Sequence, residues 1–213
     1  MIIKENSTVL FQGDSITDAS RVRHDSADLG RGYAMMASSW FNAMHPEMNV
    51  NFLNRGISGD RVRNLKTRWQ EDCIDLKPDV ISIMIGINDT WRHFDSCGEF
   101  TPVEAYKRDY HEILKQIRDS TNAKIVLCEP YLLPFTKKQE SEWRIDLNPK
   151  IEAVKELAAE FDTIFVPLDG VFAKAAEIRD KSFWLYDGVH PTPNGHALIA
   201  QHWLKAVGER VGD

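Results

Sequence analysis

Apolar residues gather into five short runs along the chain, and the segments between them alternate apolar and polar positions with a helical period. The runs cover residues 8–12, 49–53, 80–85, 124–128 and 163–167. Each run is rich in Val, Ile, Leu or Phe, and each is followed by a turn-forming or polar residue. Continuous apolar runs of this length are typical of strands that are buried on both faces of a parallel sheet.

The segments between the runs predict helices with recognisable ends. One apolar stripe begins after Asp60, which is the predicted N-cap, and Pro78 stops it. A second helix is predicted with Thr101 as N-cap, Pro102 at its first position and Glu104 three residues after the cap. Two further helices are predicted over residues 147–161 and from Thr192 to Gly208.

This alternation of strands and helices predicts the fold class. Parallel strands need crossover connections long enough for a helix, and those helices cover both faces of the sheet. Five strands therefore predict a three-layer α/β/α sandwich around a five-stranded parallel sheet. A chain of 213 residues fits one such domain, so we expect residues 1–213 to form a single domain.

The composition of the chain argues against several classes of binding partner. The formal net charge is −6 and no long basic run occurs, which argues against binding to nucleic acid. No segment approaches the roughly 18 apolar residues of a membrane span. The three cysteines, Cys73, Cys97 and Cys128, are widely spaced and form no C-x-x-C motif. They predict thiols in a reducing compartment rather than disulfides or a zinc site, and with an N-terminus lacking an apolar leader they predict a cytoplasmic protein.

Residues with reactive or hydrogen-bonding side chains, and glycine turns, follow the predicted strands. The sequence GDS, which ends at Ser15, follows the first strand, and NRG, which ends at Gly56, follows the second. GIND, which contains Asn88, follows the third, and DGVH, with Asp187 and His190, precedes the last helix. Ligands of open parallel sheets bind beyond the carboxyl ends of the strands. These groups are therefore expected at one edge of the sheet.

Together these residue types suit acyl transfer. A serine hydroxyl needs an adjacent base to become a nucleophile, and His190 could take the proton of Ser15. Asp187 could hold the second ring nitrogen of the imidazole. The developing oxyanion needs donors, for which the candidates are the backbone N–H groups of Ser15 and Gly56 and the amide of Asn88.

At these residues the chain resembles the SGNH (GDSL) hydrolases. Four blocks carry the resemblance in order: GDSIT, NRGISGD, GIND and DGVHP. The resemblance implies a flavodoxin-like fold, no metal and no organic cofactor. It implies Ser15 as nucleophile, His190 as base and Asp187 as its orienting partner, with Ser15, Gly56 and Asn88 forming the oxyanion hole. The family pattern has Leu after the serine, where this chain has Ile16.

Within that family, three longer stretches are most similar to intracellular acetyl-xylooligosaccharide esterases. They are GDSITD, RGISGDRVRNLKTRWQEDCIDLKPD and SIMIGINDTWR. The resemblance implies a homo-oligomer that removes acetyl groups from small acetylated oligosaccharides. Expected sugar-binding residues are Trp91, Arg92, Tyr186, Trp184 and Arg21 or Arg23. That group is expected to have Trp directly before the catalytic Asp, where this chain has Tyr186.

Other interpretations stay open at this point. The same chemistry could act on a lysophospholipid, a thioester or a short aliphatic acetate. A binding module without catalysis could hold a sugar or an anion at the glycine turns of residues 56–59. Ser15 could also be only a helix cap, and Asp187 with His190 could be metal ligands, although no further ligands stand near them in the sequence.

Overall fold

The computed structural model describes residues 1–209 and contains a five-stranded, entirely parallel sheet. The strands are β1 (Thr8–Gly13), β2 (Asn51–Asn54), β3 (Val80–Met84), β4 (Lys124–Cys128) and β5 (Ile164–Val166). Their order in the sheet is β2-β1-β3-β4-β5, which is the flavodoxin-like order. All five apolar runs are strands, and the predicted fold class is confirmed.

Helices lie on both faces of this sheet. In the described residues they are α1 (Ser15–Asp18), α2 (Tyr33–Met44), α3 (Val62–Trp69), α4 (Ile87–Phe94), α5 (Val103–Ser120), α6 (Arg144–Glu160), α7 (Leu168–Ile178), α8 (Lys181–Trp184) and α9 (Pro193–Ala206). None of the helices within residues 1–209 has the length and apolarity to cross a membrane.

Side-chain alternation along the strands divides the core into two layers. In β1, Val9 and Phe11 pack with α2 and α9, whereas Leu10 packs with α3 and α5 on the opposite face. On the first face Phe11 lies 5.0 Å from Trp203 and 5.6 Å from Tyr33, measured between ring centroids. Every residue of β3 is buried. Because β3 is buried on both faces, it appears in the sequence as a continuous apolar run.

Three predicted helix starts are wrong by one to three residues. The first stripe begins at Val62 with Arg61 in the N-cap position, because the carboxylate of Asp60 accepts from Arg68 Nε at 2.9 Å. The helix predicted from Thr101 begins at Val103, because Pro102 has an extended ψ of 144°. The helix predicted from residue 147 begins earlier, at Arg144, after a π-helical turn over Gln139–Trp143. Thr192 caps α9 as predicted.

The strand order determines where the chemistry-bearing loops meet. β1 lies between β2 and β3, so the three loops that follow these strands begin side by side at the carboxyl edge of the sheet. The segment before α9 reaches the same edge from the other end of the chain. Residues far apart in sequence therefore come together there.

Candidate active site

Ser15 stands on a tight turn between β1 and α1. Asp14 is the N-cap of α1, and its Oδ1 accepts from the backbone N–H of Ile16 at 3.0 Å. A Cβ at Gly13 would lie 2.4 Å from the carbonyl oxygen of Met84, so only glycine lets β1 approach β3 here. The turn presents the Ser15 hydroxyl at the edge of the sheet, where it is partly exposed.

His190 lies within hydrogen-bond distance of this serine. The distance from Ser15 Oγ to His190 Nε2 is 3.1 Å, and His190 Nδ1 lies 2.7 Å from Asp187 Oδ2. An ionised carboxylate can only accept, so Nδ1 carries the proton and Nε2 is the acceptor for the serine hydroxyl. The structure thus brings together all three residues that the sequence selected as a proton-transfer group.

The electrostatics of the pair favour a charged imidazole beside a charged carboxylate. The hydrogen bond to Asp187 raises the pKa of His190 above its ordinary value, although partial burial opposes this. Burial alone would raise the pKa of Asp187, but hydrogen bonds from the His190 ring and from the N–H groups of His190 and Val189 lower it overall. The imidazolium formed during proton transfer is therefore stabilised by its neighbour.

Backbone contacts fix the shape of the loop that carries this pair. Leu185 and Pro191 form an isolated antiparallel bridge, and the N–H of Tyr186 donates to the carbonyl of His190 at 2.8 Å. Gln139 Nε2 donates to the carbonyl of Asp187, also at 2.8 Å. The loop is thereby closed on itself and tied to the π-helical turn before α6.

Two of the three predicted oxyanion donors are available. In the described part of the chain, no acceptor is found for the backbone N–H of Ser15. Asn88 Nδ2 donates one hydrogen to the carbonyl of Asp60 at 3.0 Å. A side-chain amide has two hydrogens, so one remains to bind a substrate oxygen.

The third predicted donor, Gly56, is occupied and the prediction for it is wrong. Its N–H donates to Asn54 Oδ1 at 2.8 Å, inside the protein. A Cβ at Gly56 would lie 2.4 Å from the backbone nitrogen of Asp18. Gly56 is therefore needed for the close approach of the β2 loop to α1, and its N–H does not face a substrate.

Gly59, three residues later, offers a free N–H group where Gly56 does not, and it is absent from the residues that the sequence predicts. Its φ is +86°, a left-handed conformation that favours glycine, and its N–H has no acceptor among residues 1–209. Its neighbours place it at the site: the N–H of Ser58 binds Asp18 Oδ2 at 3.0 Å, and the carbonyl of Asp60 binds Asn88. The second glycine of NRGISGD was the available signal.

Asn54 organises the loop that contains both glycines. It is fully buried at the end of β2. Its Nδ2 donates to the carbonyls of Thr17 and Leu29 at 2.6 and 2.8 Å, while its Oδ1 accepts from Gly56. Arg21 Nε donates to the carbonyl of Gly56 at 2.9 Å. The loop is held by buried hydrogen bonds on both sides.

The predicted sugar-binding residues divide into two groups. Trp91 lies 5.5 Å from the His190 ring, and Tyr186 is 66 % exposed directly before Asp187. Arg92 lies one helical turn after Asn88, and its Nη2 is 3.1 Å from the position that a Cβ of Gly59 would take. These three residues surround the site.

Trp184 and Arg21 do not, and their assignment is corrected. The indole N–H of Trp184 donates to the carbonyl of Ala175 at 3.0 Å, so this ring packs against α7. Arg21 is 8 % exposed and its Nε is used by Gly56. Arg23, the alternative to Arg21, is paired with Asp18 at 2.6 Å. All three are explained by packing or by loop structure.

Two buried carboxyls adjoin the donors of the site. Burial raises the pKa of Asp14, directly before Ser15, to about 7, and it raises the pKa of Asp89, directly after Asn88, to about 7 as well. One oxygen of each, Asp14 Oδ2 and Asp89 Oδ1, has no hydrogen-bond partner within the described residues. As for metal ligands, residues 1–209 contain no cluster of three or more His, Cys, Asp or Glu side chains.

The model of the GDSL-like lipase/acylhydrolase family matches residues 11–198. The chain is 33 % identical to the acetylxylan esterase of Geobacillus stearothermophilus, over 98 % of this chain and 97 % of that protein. The chain belongs to the GDSL-like lipase/acylhydrolase family. The predictions of an SGNH (GDSL) hydrolase and of a carboxylic ester hydrolase are thereby confirmed.

Other relatives agree with this assignment. An arylesterase of Vibrio mimicus is 25 % identical, over 81 % of this chain and 80 % of that protein. Among solved structures, Axe2, an acetylxylan esterase from Geobacillus stearothermophilus, superposes with a TM-score of 0.91 and 31 % identity, covering 99 % of this chain and 98 % of that one. LAE5, an alpha/beta hydrolase from the Lake Arreo metagenome, has a TM-score of 0.90 and 29 % identity, with 98 % of each chain covered.

Proposed function

We propose that this protein is a serine esterase that removes acetyl groups from small acetylated carbohydrates such as xylo-oligosaccharides. The observation that carries the proposal is the continuous contact from Ser15 Oγ through the His190 ring to the Asp187 carboxylate, at 3.1 and 2.7 Å.

The reaction follows from the direction of the hydrogen bonds. Ser15 Oγ attacks the acetyl carbonyl while His190 Nε2 takes the hydroxyl proton. Asp187 holds the Nδ1 proton and stabilises the imidazolium without itself accepting that proton. His190 then protonates the sugar oxygen as the ester bond breaks, which leaves an acetyl group on Ser15.

The second half of the cycle uses the same groups in reverse. His190 removes a proton from water, which attacks the acetyl-enzyme and releases acetate and free Ser15. In both halves a negative charge develops on the carbonyl oxygen. The proposed donors to it are the N–H groups of Ser15 and Gly59 and the free amide hydrogen of Asn88, and one such donor is typically worth about 3–4 kcal/mol.

Two features support a carbohydrate as the acyl acceptor. Trp91, Tyr186 and Arg92 provide aromatic surface and a guanidinium around Ser15 and Gly59, a combination that suits sugar rings and hydroxyls. The second feature is the 33 % identity to the acetylxylan esterase over nearly the whole of both chains.

We further propose a cytoplasmic homo-oligomer. Cys73 and Cys128 are buried free thiols and Cys97 is an exposed one, as a reducing compartment allows. Trp40 and Met44 on α2 are 51 % and 52 % exposed, so α2 offers an apolar face for a second copy. Sedimentation of the purified protein tests the oligomer: a monomer at micromolar concentration would contradict it.

Release of the carboxylic acid from a panel of esters tests the proposed activity. The panel contains an acetylated xylo-oligosaccharide, a lysophospholipid, an acyl thioester and p-nitrophenyl esters from two to twelve carbons. We expect the acetylated sugar and the shortest ester to react best, and Ser15→Ala to lower turnover by at least about 10³-fold at unchanged unfolding temperature. A preference for chains of eight carbons or more would contradict the carbohydrate assignment. Unchanged turnover in Ser15→Ala would contradict the serine mechanism.

A further inference from the structure

The backbone of the loop of residues 185–191 determines where its two reactive side chains lie. Asp187 Oδ1 accepts from the N–H groups of Val189 and His190 at 2.9 and 2.8 Å, and Oδ2 accepts from His190 Nδ1 at 2.7 Å. Within residues 1–209 this carboxylate makes no hydrogen bond outside its own loop. The alignment of Asp187 and His190 with Ser15 therefore depends on the position of the loop backbone.

Three successive carbonyl groups of this loop accept hydrogen bonds from one segment, residues 131–139, which follows β4. The carbonyl groups and their donors are Asp187 with Gln139 Nε2 at 2.8 Å, Gly188 with the N–H of Leu133 at 2.9 Å, and Val189 with the hydroxyl of Tyr131 at 3.0 Å. Two of the three donors are side chains. Substitution can therefore remove them without altering the backbone of either segment.

The amide of Gln139 is buried, and both of its ends are used. Gln139 begins the π-helical turn before α6, and turns of this kind are frequent at functional sites. Its Oε1 accepts from the N–H groups of Phe135 and Thr136 at 2.7 and 3.1 Å, so Nε2 is the end that donates to Asp187. The segment itself thus orients the amide toward the loop.

Tyr131 is held with similar firmness. Its ring is buried and stacks on that of Phe172, with 4.3 Å between the ring centroids. Burial raises the pKa of the Tyr131 hydroxyl, so this group keeps its proton and donates to the carbonyl of Val189. Both side chains are therefore fixed donors to the loop.

We propose that Gln139 and Tyr131 are positioning residues of the esterase, which hold the loop so that the His190 ring stays within hydrogen-bond distance of Ser15. The proposal rests on the proposed function and deepens it. Both side chains bind backbone carbonyls and not the reacting atoms, so they act through Asp187 and His190. A misplacement of about 1 Å at a reacting group can lower a rate about 10²-fold, so loss of these hydrogen bonds should lower kcat.

Hydrolysis of p-nitrophenyl acetate tests the proposal, with kcat expressed per active site titrated by a serine-reactive phosphonate. Counting the labelled sites excludes unfolded protein from the rate. In Gln139→Met, which keeps the length of the side chain, we expect kcat to fall about ten- to a hundredfold with KM changed little. Tyr131→Phe keeps the ring and removes only the hydroxyl, so its kcat should fall less, about three- to tenfold.

The pH profile of kcat/KM separates positioning from a loss of stability. The hydrogen bond from Asp187 is the main cause of the raised pKa of His190. A displaced loop weakens that bond, so the midpoint of the profile should fall in Gln139→Met and in Tyr131→Phe.

Trp69→Phe is the matched control. The buried Trp69 Nε1 donates to the carbonyl of Ile113 at 3.1 Å, in the core layer on the other face of the sheet from Tyr131. This variant also loses a buried hydrogen bond to a carbonyl, so its stability should fall. Its kcat per titrated site and its midpoint should remain those of wild type.

Each residue is judged by its own variant. A wild-type kcat per titrated site, or a wild-type midpoint, would remove that residue from the role, and an equal loss of kcat in Trp69→Phe would overturn the proposal for both. Gln139→Glu keeps an acceptor for the N–H groups of Phe135 and Thr136 and, when ionised, has no hydrogen to donate. Its kcat per titrated site decides the role of Gln139 if Gln139→Met does not fold. If wild type neither reacts with the phosphonate nor cleaves p-nitrophenyl acetate, the proposed function fails, which is a result distinct from insensitive variants of an active enzyme.

Discussion

Two loops supply the site, and they are built differently. The loop of residues 54–60 is tied into the protein by buried hydrogen bonds, with Asn54 making three of them. The loop of residues 185–191 is held through its backbone carbonyls, while the side chains of Asp187 and His190 are 42 % and 40 % exposed. The side chain that anchors the first loop is fully buried, whereas the two reactive side chains of the second loop are half-exposed.

The difference matches the chemistry proposed for each loop. Donors to an oxyanion are effective when they are fixed before the charge develops, which a buried hydrogen-bond network ensures. A general base must exchange protons with the leaving group and with water, which requires access to solvent. Substitution of Asp187 or His190 should therefore remove activity alone, whereas substitution of Asn54 should also lower stability.

The largest effect within this comparison is expected from Asp187→Asn. The amide cannot stabilise an imidazolium and favours the wrong imidazole tautomer, so kcat should fall by about 10⁴-fold, as in other serine hydrolases. The free energy of unfolding should change little, because the side chain is half-exposed. Steady-state kinetics and urea unfolding measure the two quantities, and a kcat within threefold of wild type would remove Asp187 from the mechanism.

The pH profile sharpens the same test. His190 must be neutral to act as a base, so kcat/KM should rise with pH through the pKa of His190. That pKa is raised, chiefly by the hydrogen bond to Asp187, so the midpoint should lie above the ordinary value of about 6.5. In Asp187→Asn the residual activity should show a lower midpoint. A midpoint that does not move would contradict this coupling.

Asn88→Ala should come next. It removes one proposed oxyanion donor and leaves the Asp60 carbonyl without its partner. We expect kcat to fall about 10²- to 10³-fold, with KM changed much less. Asn88→Asp is the matched control, because it keeps the size of the side chain. When ionised, it has no amide hydrogen to donate. Recovery of activity in Asn88→Asp would contradict a donor role.

Asn54→Ala should show the opposite balance from Asp187→Asn. It leaves the N–H of Gly56 and two carbonyls buried without partners, so we expect the free energy of unfolding to fall by about 2–4 kcal/mol. Asn51 is exposed on the same strand, so Asn51→Ala is the control and should cost little. Equal unfolding midpoints in urea for the two variants would contradict the buried network.

Taken per pH unit, the smallest effect is expected from Asp14→Asn, compared with wild type across pH. The pKa of Asp14 is about 7 in the folded protein and near 3.8 when exposed, so between these pH values only the folded state holds the proton. Wild-type stability should therefore fall as pH rises from about 4 to 7, on the order of 1 kcal/mol per pH unit from this group. Asn cannot titrate, so the variant should gain stability relative to wild type over that range. A pH-independent difference in unfolding free energy would contradict the assignment.

The sequence was sufficient for the sheet and for the proton-transfer group. The central strands β1, β3 and β4 are buried along nearly their whole length, so each appears in the sequence as an apolar run. The positions of Ser15, Asn88, Asp187 and His190 follow because each lies directly after a strand or before a capped helix. The parallel order of the strands brings the loops of Ser15 and Asn88 together, and the segment before α9 carries Asp187 and His190 to the same edge.

Errors arose where backbone hydrogen bonds decide the outcome. Gly56 and Gly59 are both glycines of one motif, and only the structure shows that Asn54 occupies the first N–H. Trp184 and Arg21 have side chains suited to sugars, but Ala175 and Gly56 already take their N–H groups. Hydrogen bonds of this kind, which occupy an N–H group inside the protein, leave no periodic pattern in the sequence. Helices α2, α4 and α7 were not predicted, and α4 is the helix that carries Asn88 and Trp91.

The contact between Ser15 and His190 joins positions 175 residues apart. During synthesis the nucleophile leaves the ribosome early, but its base arrives only after every strand of the sheet has been made. A partly synthesised chain therefore cannot hydrolyse esters, and neither can a product that is truncated before residue 190. The onset of ester cleavage in a translation reaction would therefore report when His190 has been synthesised and has come into contact with Ser15.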